Sequence, residues 1–238
     1  MNPQANKVST RYIVLGTKPW NRTSFDRHIC NLPGDWLFLS SKEELDLHAL
    51  TSWTPRYLFF LHWSWIVPQT IVDQYECVCF HMTDVPYGRG GTPLQNLISR
   101  GHAETKLTAL RMTQELDAGP VYGKRNLRLD GTAEQIYIAA SDMAASMIAE
   151  IVRDEPTPIA QTGVAQPFAR RKPEQSALPQ EGGLDALYDH IRMLDASGYP
   201  KAFIRHGDFI LEFSRAAVYN GKLKCDVEIK IVDKETRK

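Results

Sequence analysis

The chain has 238 residues, of which 43% are hydrophobic and 24% are charged, and its 28 basic and 28 acidic side chains give a formal net charge of zero. This length suits one domain with a substantial core, or a domain with an appendage. The balanced charge gives no electrostatic case for a nucleic-acid or membrane-surface partner. Apolar stretches such as residues 57–61 are too short to cross a bilayer, and the first residues lack the apolar core of a signal peptide. We therefore expect a cytoplasmic protein.

The four cysteines, at positions 30, 77, 79 and 225, form no C-x-x-C pair, which predicts free thiols in a reducing compartment. Cys77, Cys79 and His81 alternate along one predicted strand and raise the question of a metal site. Alternate strand residues lie about 6.6 Å apart, whereas zinc ligands lie about 2.0–2.3 Å from the ion. We therefore predict no metal site.

The first third of the chain alternates apolar strands with helix signals. Strands are predicted at residues 11–15, 36–39, 57–61 and 77–81. Thr23 is a good N-cap for a short helix through residue 29. Ser41 precedes an acidic first turn at Glu43 and Glu44, which indicates a second helix start. Continuous apolar strands that alternate with helices predict a parallel sheet covered on both faces.

The same alternation continues in the middle of the chain. Thr92-Pro93 opens a helix, with Pro at the first helical position, and Gly101 ends it. A strand is predicted at residues 105–112, and a hairpin or edge strand at residues 121–129. The capping box at residues 132–135 predicts the start of a long helix.

The composition changes after residue 152. The Pro-containing segment 154–158 breaks the long helix, and a polar segment follows it. Residues 184–194 have the periodicity of an amphipathic helix. Residues 209–218 and 224–231 then predict an antiparallel pair joined by Asn220-Gly221, a strong hairpin signal. The open edge of this hairpin is a surface through which a homodimer can form.

The segment from residue 79 to residue 121 carries the candidate chemistry. His81 ends an apolar strand, and Leu116-Asp117-Ala118-Gly119 follows another one. A histidine and an aspartate at strand ends can meet in one cleft, which points to acyl transfer. The alternative is that His81 is a satisfied histidine at a strand end and that Asp117 caps a turn.

These residues resemble a known family, the 10-formyltetrahydrofolate-dependent formyltransferases. This family includes methionyl-tRNA formyltransferase, glycinamide ribonucleotide formyltransferase and the sugar N-formyltransferases. The positions that fall on the family pattern, in order, are His81, Pro86, Arg89, Gly90, Pro93, Gly101, Thr105, Thr108, Leu116, Asp117 and Gly119. The resemblance continues through residues 168–173 and 191–203, and it covers most of residues 55–218. The first fifty residues match only in outline.

The resemblance implies a fold, a co-substrate and two essential residues. The fold is a Rossmann-like, mostly parallel α/β sheet with helices on both faces, followed by a small C-terminal α+β extension. We expect a catalytic core over residues 1–155, then a linker and extension over residues 156–238. The formyl donor is 10-formyltetrahydrofolate. His81, held as imidazolium by Asp117, is expected to donate to the oxyanion, and Asp117 is expected to help remove the amine proton.

Cys79 departs from the family pattern, which has Asn two residues before the His. A thiol is a weaker hydrogen-bond donor than an amide. Three explanations are open: another donor, such as a backbone N–H, His62 or Thr83, takes over; the enzyme is slower; or transfer activity has been lost. A nucleophilic role for Cys79 is disfavoured, because His81 is the sole basic group placed to lower the pKa of the thiol.

Two loops are the candidate binding segments. By the resemblance, folate binds at the loop after the third strand, at His62, Trp63, Ser64, Trp65, Ile66 and Pro68, and near Asp117. The alternative is that the two tryptophans are ordinary core aromatics. The candidate substrate-binding residues are Thr83, Tyr87, Gly88, Arg89, Gly90 and Gly91. This glycine-rich loop either orders an anionic substrate or simply makes a tight turn.

The expected acceptor is a nucleotide-linked amino sugar. Methionyl-tRNA formyltransferase carries a further barrel-like domain that helps to grip tRNA, and this chain is expected to stop where that domain begins. Purine-pathway enzymes are expected to lack the segments near residues 170 and 191. The sugar is expected to be a 4-amino-4,6-dideoxyhexose. The alternatives are transfer to an amino acid or a peptide-synthesis intermediate, hydrolysis of formyl-folate, and non-catalytic folate or nucleotide binding.

Overall fold

The computed structural model describes residues 9–232. The chain divides into two compact units. Of the described residues, the first unit comprises 9–89, 106–125 and 138–166. The second unit comprises 90–105, 126–137 and 167–232.

Eleven strands and six α-helices are found in residues 9–232. The strands are β1 (Arg11–Gly16), β2 (Asp35–Leu39), β3 (Tyr57–Leu61), β4 (Cys77–His81), β5 (Tyr87–Gly90), β6 (Glu104–Arg111), β7 (Val121–Arg128), β8 (Gln166–Phe168), β9 (Ala202–His206), β10 (Phe209–Tyr219) and β11 (Lys222–Ile231). The helices are α1 (Pro19–Ser24), α2 (Leu47–Trp53), α3 (Gln69–Gln74), α4 (Pro93–Ile98), α5 (Ala133–Asp154) and α6 (Leu184–Arg192). A π-helical turn, Phe25–Ile29, follows α1, and a short 3₁₀ helix covers Pro173–Ser176.

The main sheet has six strands in the order β2-β1-β3-β4-β6-β7. The pairs β1–β2, β1–β3 and β3–β4 are parallel, and β4–β6 is antiparallel. Hydrogen bonds from the Arg111 amide to the Pro120 carbonyl and from the Leu129 amide to the Ala103 carbonyl connect the ends of β6 and β7. This α/β class with a mostly parallel sheet confirms the predicted fold class.

The central strands are apolar along their whole length because the sheet buries them. All five residues of β3 are buried, as are five of the six residues of β1. Ile13, Leu15, Leu58 and Phe60 form one core cluster with residues of the surrounding helices. Removing this much apolar surface from water is the main term that stabilises the sheet. The sheet thereby fixes where the strand ends lie.

Two predicted helix starts were wrong. The first helix begins at Pro19 rather than after Thr23, because proline is well suited to the first helical position. The second begins at Leu47, where the Asp46 carboxylate accepts from the Ala49 amide at 3.1 Å. Glu44, predicted to lie in the first turn of this helix, instead accepts a hydrogen bond from the Ser40 amide at 2.8 Å.

The long helix α5 begins at the predicted capping box. The Thr132 amide donates to Gln135 Oε1 at 2.9 Å, and the Gln135 amide donates back to Thr132 Oγ1 at 3.3 Å. The helix ends at Asp154, and Glu155 takes a left-handed conformation with φ 39°. Among residues 9–232, α5 is the helix whose length and composition would also allow it to cross a membrane, and half of its most apolar stretch is buried inside the protein.

The second unit contains a small antiparallel sheet in the order β11-β10-β9, against which α6 packs. The turn between β10 and β11 has φ 50° at Asn220 and φ 69° at Gly221, as a type I′ hairpin requires. The predicted hairpin is confirmed. Strand β9 was not predicted, although it forms a local hairpin with β10, in which His206 pairs with Phe209 across the two-residue turn Gly207-Asp208. The short strands β5 and β8, which pair with each other, were not predicted either.

Candidate active site

His81 ends β4 and is held by the glycine-rich loop that follows. Its Nε2 atom lies 2.8 Å from the Gly88 carbonyl oxygen, and 8% of the residue is exposed. In the antiparallel pair of β4 and β6, His81 lies opposite Thr108 of β6. Because a carbonyl oxygen only accepts hydrogen bonds, Nε2 must carry a proton in this geometry.

Asp117 lies on the other side of the imidazole. Its Oδ2 atom is 3.5 Å from His81 Nδ1, and both side chains are nearly buried. The ring therefore lies between two acceptors, the Gly88 carbonyl and a carboxylate, and only imidazolium offers an N–H to each of them. The Nδ1–Oδ2 distance exceeds the 2.7–3.2 Å that is usual for N–H···O hydrogen bonds. Nδ1 is thus the ring atom that is not committed to a short hydrogen bond.

The loop between β6 and β7 positions Asp117 through backbone constraints. Asp117 has φ 53°, a left-handed conformation that aspartate tolerates better than most residues. At Gly119 an added Cβ would lie 1.8 Å from the Arg111 carbonyl oxygen, so no larger residue fits there. The Leu-Asp-x-Gly pattern thus corresponds to a strained aspartate followed by a close backbone approach.

Gln161 stabilises this loop and was not predicted from the sequence. Its Nε2 atom donates to the carbonyl oxygens of Asp117 and Gly119, both at 2.8 Å. Its Oε1 atom accepts from Arg89 Nε at 3.1 Å and from Arg89 Nη2 at 2.9 Å. An isolated bridge between Val121 and Ile159 brings this segment beside the loop. The contact is tertiary, and residue 161 lies outside the predicted motif.

Arg89 and Thr83, predicted to bind substrate, have protein partners in this arrangement. Arg89 Nη1 is 3.1 Å from the Glu115 carboxylate, in addition to the contacts with Gln161. Thr83 is fully buried, and its hydroxyl lies 3.4 Å from the Gly88 carbonyl oxygen. The Thr108 hydroxyl donates to the Thr83 carbonyl oxygen at 2.7 Å. Both predicted residues therefore support the loop that holds His81.

Cys79 lies two residues before His81 on β4, in register with Phe60 and Leu110. Burial raises the pKa of the Cys79 thiol well above its ordinary value, and the negative charge of Asp117 raises it further. The thiol is therefore protonated at neutral pH and is a poor nucleophile. As S–H it remains a weak hydrogen-bond donor.

The loop after β3 presents both buried and exposed aromatic groups. Trp63 packs against the core cluster and makes an edge-on contact with Phe60 at 5.8 Å. Its indole N–H is buried with no hydrogen-bond partner among the described residues. Trp65 is 41% exposed and Ile66 is 96% exposed. The aromatic residues of this loop thus divide into one that belongs to the core and one that is available to a ligand.

His62 begins the same loop, with φ 51°, and its ring lies edge-on to Trp20 at 6.3 Å. Burial lowers the pKa of His62 to about 4, and the positive charge of Lys18 contributes in the same direction. The imidazole is therefore neutral at pH 7. It follows β3, the parallel neighbour of the strand that ends at His81. Ser64 and Pro68 are exposed, and Pro68 caps α3.

The second unit contains the end of the glycine-rich loop. Gly90 has φ 97°, and an added Cβ would lie 2.9 Å from the Phe168 carbonyl oxygen. At Gly91 an added Cβ would lie 2.6 Å from Arg170 Cβ. The side-chain Nδ2 of Asn96 donates to the carbonyl oxygens of Gly91 and Ala169, at 3.1 and 3.0 Å. These glycines are required by close packing, which favours the tight-turn interpretation of this part of the loop. Tyr87, also predicted to bind substrate, is half-buried at the start of β5.

Two further observations concern metal binding and the position of a cleft. Within residues 9–232 no group of three or more His, Cys, Asp or Glu side chains is placed to hold a metal ion. A cleft of about 440 Å³ lies elsewhere in the first unit, with Tyr12, Pro33 and Val152 among its lining residues. None of the predicted site residues lines this cleft.

Known proteins resemble the chain over nearly its whole length. A family model described as "Methionyl-tRNA formyltransferase, C-terminal domain" matches residues 173–230. The structure of a methionyl-tRNA formyltransferase from Clostridium thermocellum is 43% identical, with a TM-score of 0.89, and the match covers 93% of this chain and 99% of that one.

Two more distant structures show the shared fold alone. HypX from Aquifex aeolicus, in complex with tetrahydrofolic acid, is 14% identical with a TM-score of 0.72, covering 87% of this chain and 38% of that one. A sugar N-formyltransferase from Shewanella sp. FDAARGOS_354 is 13% identical with a TM-score of 0.64, covering 91% and 96%.

The family-model match also corrects one expectation. We expected the chain to stop where the C-terminal domain of the tRNA enzymes begins. Residues 173–230 instead match the model of that domain. A missing domain therefore does not speak against a tRNA acceptor, whereas the charge of the chain still does.

The depressed pKa of His62 predicts a specific pH dependence of stability. The folded chain releases the His62 proton near pH 4, whereas an unfolded histidine does so near pH 6.5. Between these values the unfolded state binds more protons, so His62 makes the free energy of unfolding rise with pH across this window. Histidine NMR should give a midpoint near pH 4 for His62. Denaturant titrations should show a shallower pH slope for His62→Gln, and equal slopes would contradict the assignment.

Proposed function

The chain belongs to the folate-dependent formyltransferase family, and we propose that it transfers the formyl group to the primary amine of a nucleotide-linked amino sugar. Formyl transfer from 10-formyltetrahydrofolate is the activity of the family. The proposed acceptor is expected to be a 4-amino-4,6-dideoxyhexose, and the proposed catalytic residues are His81 and Asp117. The observation that carries the catalytic part is the His81 ring held between the Gly88 carbonyl and Asp117.

His81 and Asp117 have complementary tasks in this proposal. When the acceptor amine attacks the formyl carbon, a C–N bond forms, negative charge develops on the formyl oxygen and the amine must lose a proton. A ring N–H of His81 donates a hydrogen bond to that oxygen. The Asp117 carboxylate, directly or through water, takes the amine proton. Both groups are nearly buried, which strengthens their electrostatic effect relative to water.

The loop after β3 fits a flat, partly apolar co-substrate. 10-Formyltetrahydrofolate, when bound, supplies the formyl group. The exposed side chains of Trp65 and Ile66 offer an apolar surface, and the buried indole N–H of Trp63 lacks a partner among the described residues. Neutral His62 adds a polar group that carries no charge at pH 7. Ser64 and Pro68 complete the proposed folate segment.

Charge favours a small acceptor over tRNA. The chain has no net charge, and residues 173–230 contain seven Lys or Arg and nine Asp or Glu, a net charge of −2. Binding the tRNA backbone requires a basic surface that neutralises several phosphates. Such an acidic segment is unsuited to that task. A location in the cytoplasm is consistent with the use of both 10-formyltetrahydrofolate and a nucleotide-linked acceptor.

Methionyl-tRNA is the second candidate acceptor. It is favoured by the 43% identity to the Clostridium thermocellum protein, whose name specifies that substrate, and by the match of residues 173–230 to a C-terminal domain of the same name. The two candidates differ in one measurable respect. Binding of tRNA would weaken steeply with salt, whereas binding of a nucleotide sugar, with two phosphates, would weaken much less.

The formyl acceptor can be identified by mass spectrometry. The protein and 10-formyltetrahydrofolate would be incubated with UDP-, GDP- and dTDP-linked amino sugars, and separately with initiator methionyl-tRNA. We expect one amino sugar to gain a formyl group. His81→Ala and Asp117→Ala should each lower the rate by at least about 100-fold, because each removes a group that acts in the transition state.

The controls separate the competing activities. His102→Ala, a histidine given no role, should leave the rate unchanged. Formylation of methionyl-tRNA and of no sugar would replace the proposed acceptor with tRNA. Tetrahydrofolate release without any acceptor would indicate a hydrolase. No turnover with sugars, tRNA or amino acids would leave folate binding as the function and would contradict catalysis at His81.

Replacing Cys79 tests how the oxyanion is stabilised. The position holds Asn in the family pattern, whereas here it is a half-buried thiol on β4, in register with Phe60 and Leu110. We expect Cys79→Asn to lower the rate, because burying a larger polar group there costs free energy and the donor has been moved elsewhere. Cys79→Ala should change the rate less than about tenfold, since a thiol is a weak donor. A large rate gain in Cys79→Asn would instead show a compromised site.

Gln161 is expected to position Asp117. Gln161→Leu removes the hydrogen bonds to the Asp117 and Gly119 carbonyls and should lower kcat at least about tenfold, with little change in the KM for folate. Gln161→Glu keeps the shape but loses both donated bonds, so it should not restore the rate. Gln114→Leu, the same change at an exposed position of the Asp117 loop, is the matched control. An unchanged kcat in both Gln161 variants would exclude this role.

A further inference from the structure

Lys124 of β7 contacts the loop that follows His81, residues 82–88, which we call the His81 loop. The Lys124 ammonium lies 2.5 Å from Asp84 Oδ1 and donates to the Val85 carbonyl oxygen at 2.6 Å. All of these residues belong to the first unit. One side chain from the edge strand of the main sheet thus binds two successive residues of the loop.

The bond to the Val85 carbonyl is the stronger of these two contacts. Val85 is 1% exposed, so its carbonyl oxygen is shielded from water. A buried carbonyl that loses its donor costs more free energy than an average hydrogen bond contributes. The Asp84 side chain, in contrast, is 55% exposed, and its carboxylate can be hydrated when the lysine is removed. Exposed ion pairs contribute little to stability.

A tight turn connects these two residues to the carbonyl that holds the imidazole. The Tyr87 amide donates to the Asp84 carbonyl oxygen at 3.1 Å, and Gly88 follows directly. Gly88 has φ 73° and no side chain, so the direction of its carbonyl is set by the residues on either side. That carbonyl oxygen lies 2.8 Å from His81 Nε2. A displacement of the turn would therefore rotate the acceptor away from the ring.

Two uncharged contacts hold other parts of the His81 loop. The Thr108 hydroxyl donates to the Thr83 carbonyl oxygen at 2.7 Å, and the Gln166 amide donates to the Pro86 carbonyl oxygen at 3.2 Å. Thr108 is fully buried, whereas the Lys124 side chain is 31% exposed. Lys124 can therefore be replaced without leaving a cavity in the core, which makes it a suitable residue for testing how the loop is held.

We propose that Lys124 is a positioning residue for formyl transfer: by holding Asp84 and Val85, it fixes the Gly88 carbonyl and thereby the His81 ring. This inference rests on the proposed catalytic role of His81. It does not depend on which amine accepts the formyl group. A ring that is poorly held spends less time in the geometry that stabilises the oxyanion, while the binding of folate is unaffected. The loss should therefore appear in kcat rather than in KM.

Steady-state formylation kinetics test this role. Lys124→Met keeps a side chain of similar length but removes the donors, and it should lower kcat about tenfold with the KM for 10-formyltetrahydrofolate changed less than about twofold. Lys124→Arg retains the charge and the N–H donors, so its kcat should stay within about threefold of the wild type. Asp84→Asn leaves the bond to the Val85 carbonyl in place and should also stay within about threefold.

Arg125→Met is the matched control. Arg125 is the next residue of β7, and it pairs with Glu150 of α5. This variant loses an ion pair of the same kind without changing a contact of Lys124, so its kcat should equal that of the wild type. Denaturant titrations should show small and similar losses of stability in Arg125→Met and Lys124→Met. An unchanged kcat in Lys124→Met, or an equal loss of kcat in Arg125→Met, would overturn the inference.

NMR of the His81 ring gives a readout that needs no turnover. The Nε2 proton, bonded to the Gly88 carbonyl oxygen of a nearly buried pair, should give a protected imidazole signal in the wild type. In Lys124→Met this proton should exchange with water at least about threefold faster, whereas Lys124→Arg and Arg125→Met should retain its protection. An unchanged signal in Lys124→Met would contradict the positioning role, even if the protein formylates none of the acceptors tested. A chain without turnover whose signal responds as expected would instead contradict the proposed function alone.

Discussion

The position of one imidazole ring, His81, governs the candidate site. The ring lies between a backbone carbonyl and a carboxylate that come from two different loops. The carbonyl is fixed because β4 ends at His81 and the chain turns back through Gly88. The carboxylate is fixed because Gly119 permits a close backbone approach and Gln161 holds the loop. A change in either loop would misplace the ring or its counter-ion, and the chemistry tolerates little displacement.

The sequence allowed the sheet, and the proximity of His81 and Asp117, to be predicted for physical reasons. Strands such as β1 and β3 are apolar throughout because parallel strands are buried on both faces. His81 and Asp117 stand at strand ends within an ordered motif. The hairpin was predictable because Asn220-Gly221 specifies its turn locally. Each of these signals lies within a short stretch of the chain.

Features that depend on distant contacts could not be predicted in this way. Gln161 reaches Asp117 across 44 residues, and nothing in its local sequence distinguishes it. The helix start at Leu47 was missed because Asp46 and Ser41 are both acceptable caps, and the competing contact between Ser40 and Glu44 decides between them. The roles of Arg89 and Thr83 likewise depend on partners that a motif does not reveal.

The central claim is that formyl transfer takes place at the His81–Asp117 pair. The most direct test is a crystal structure of the chain bound to 5-formyltetrahydrofolate, a stable analogue of the formyl donor. We predict that the analogue lies against the loop of Trp65 and Ile66, with its reactive end within about 3–4 Å of the His81 ring. An analogue bound well away from His81, or no binding at millimolar concentration in a correctly folded protein, would contradict it.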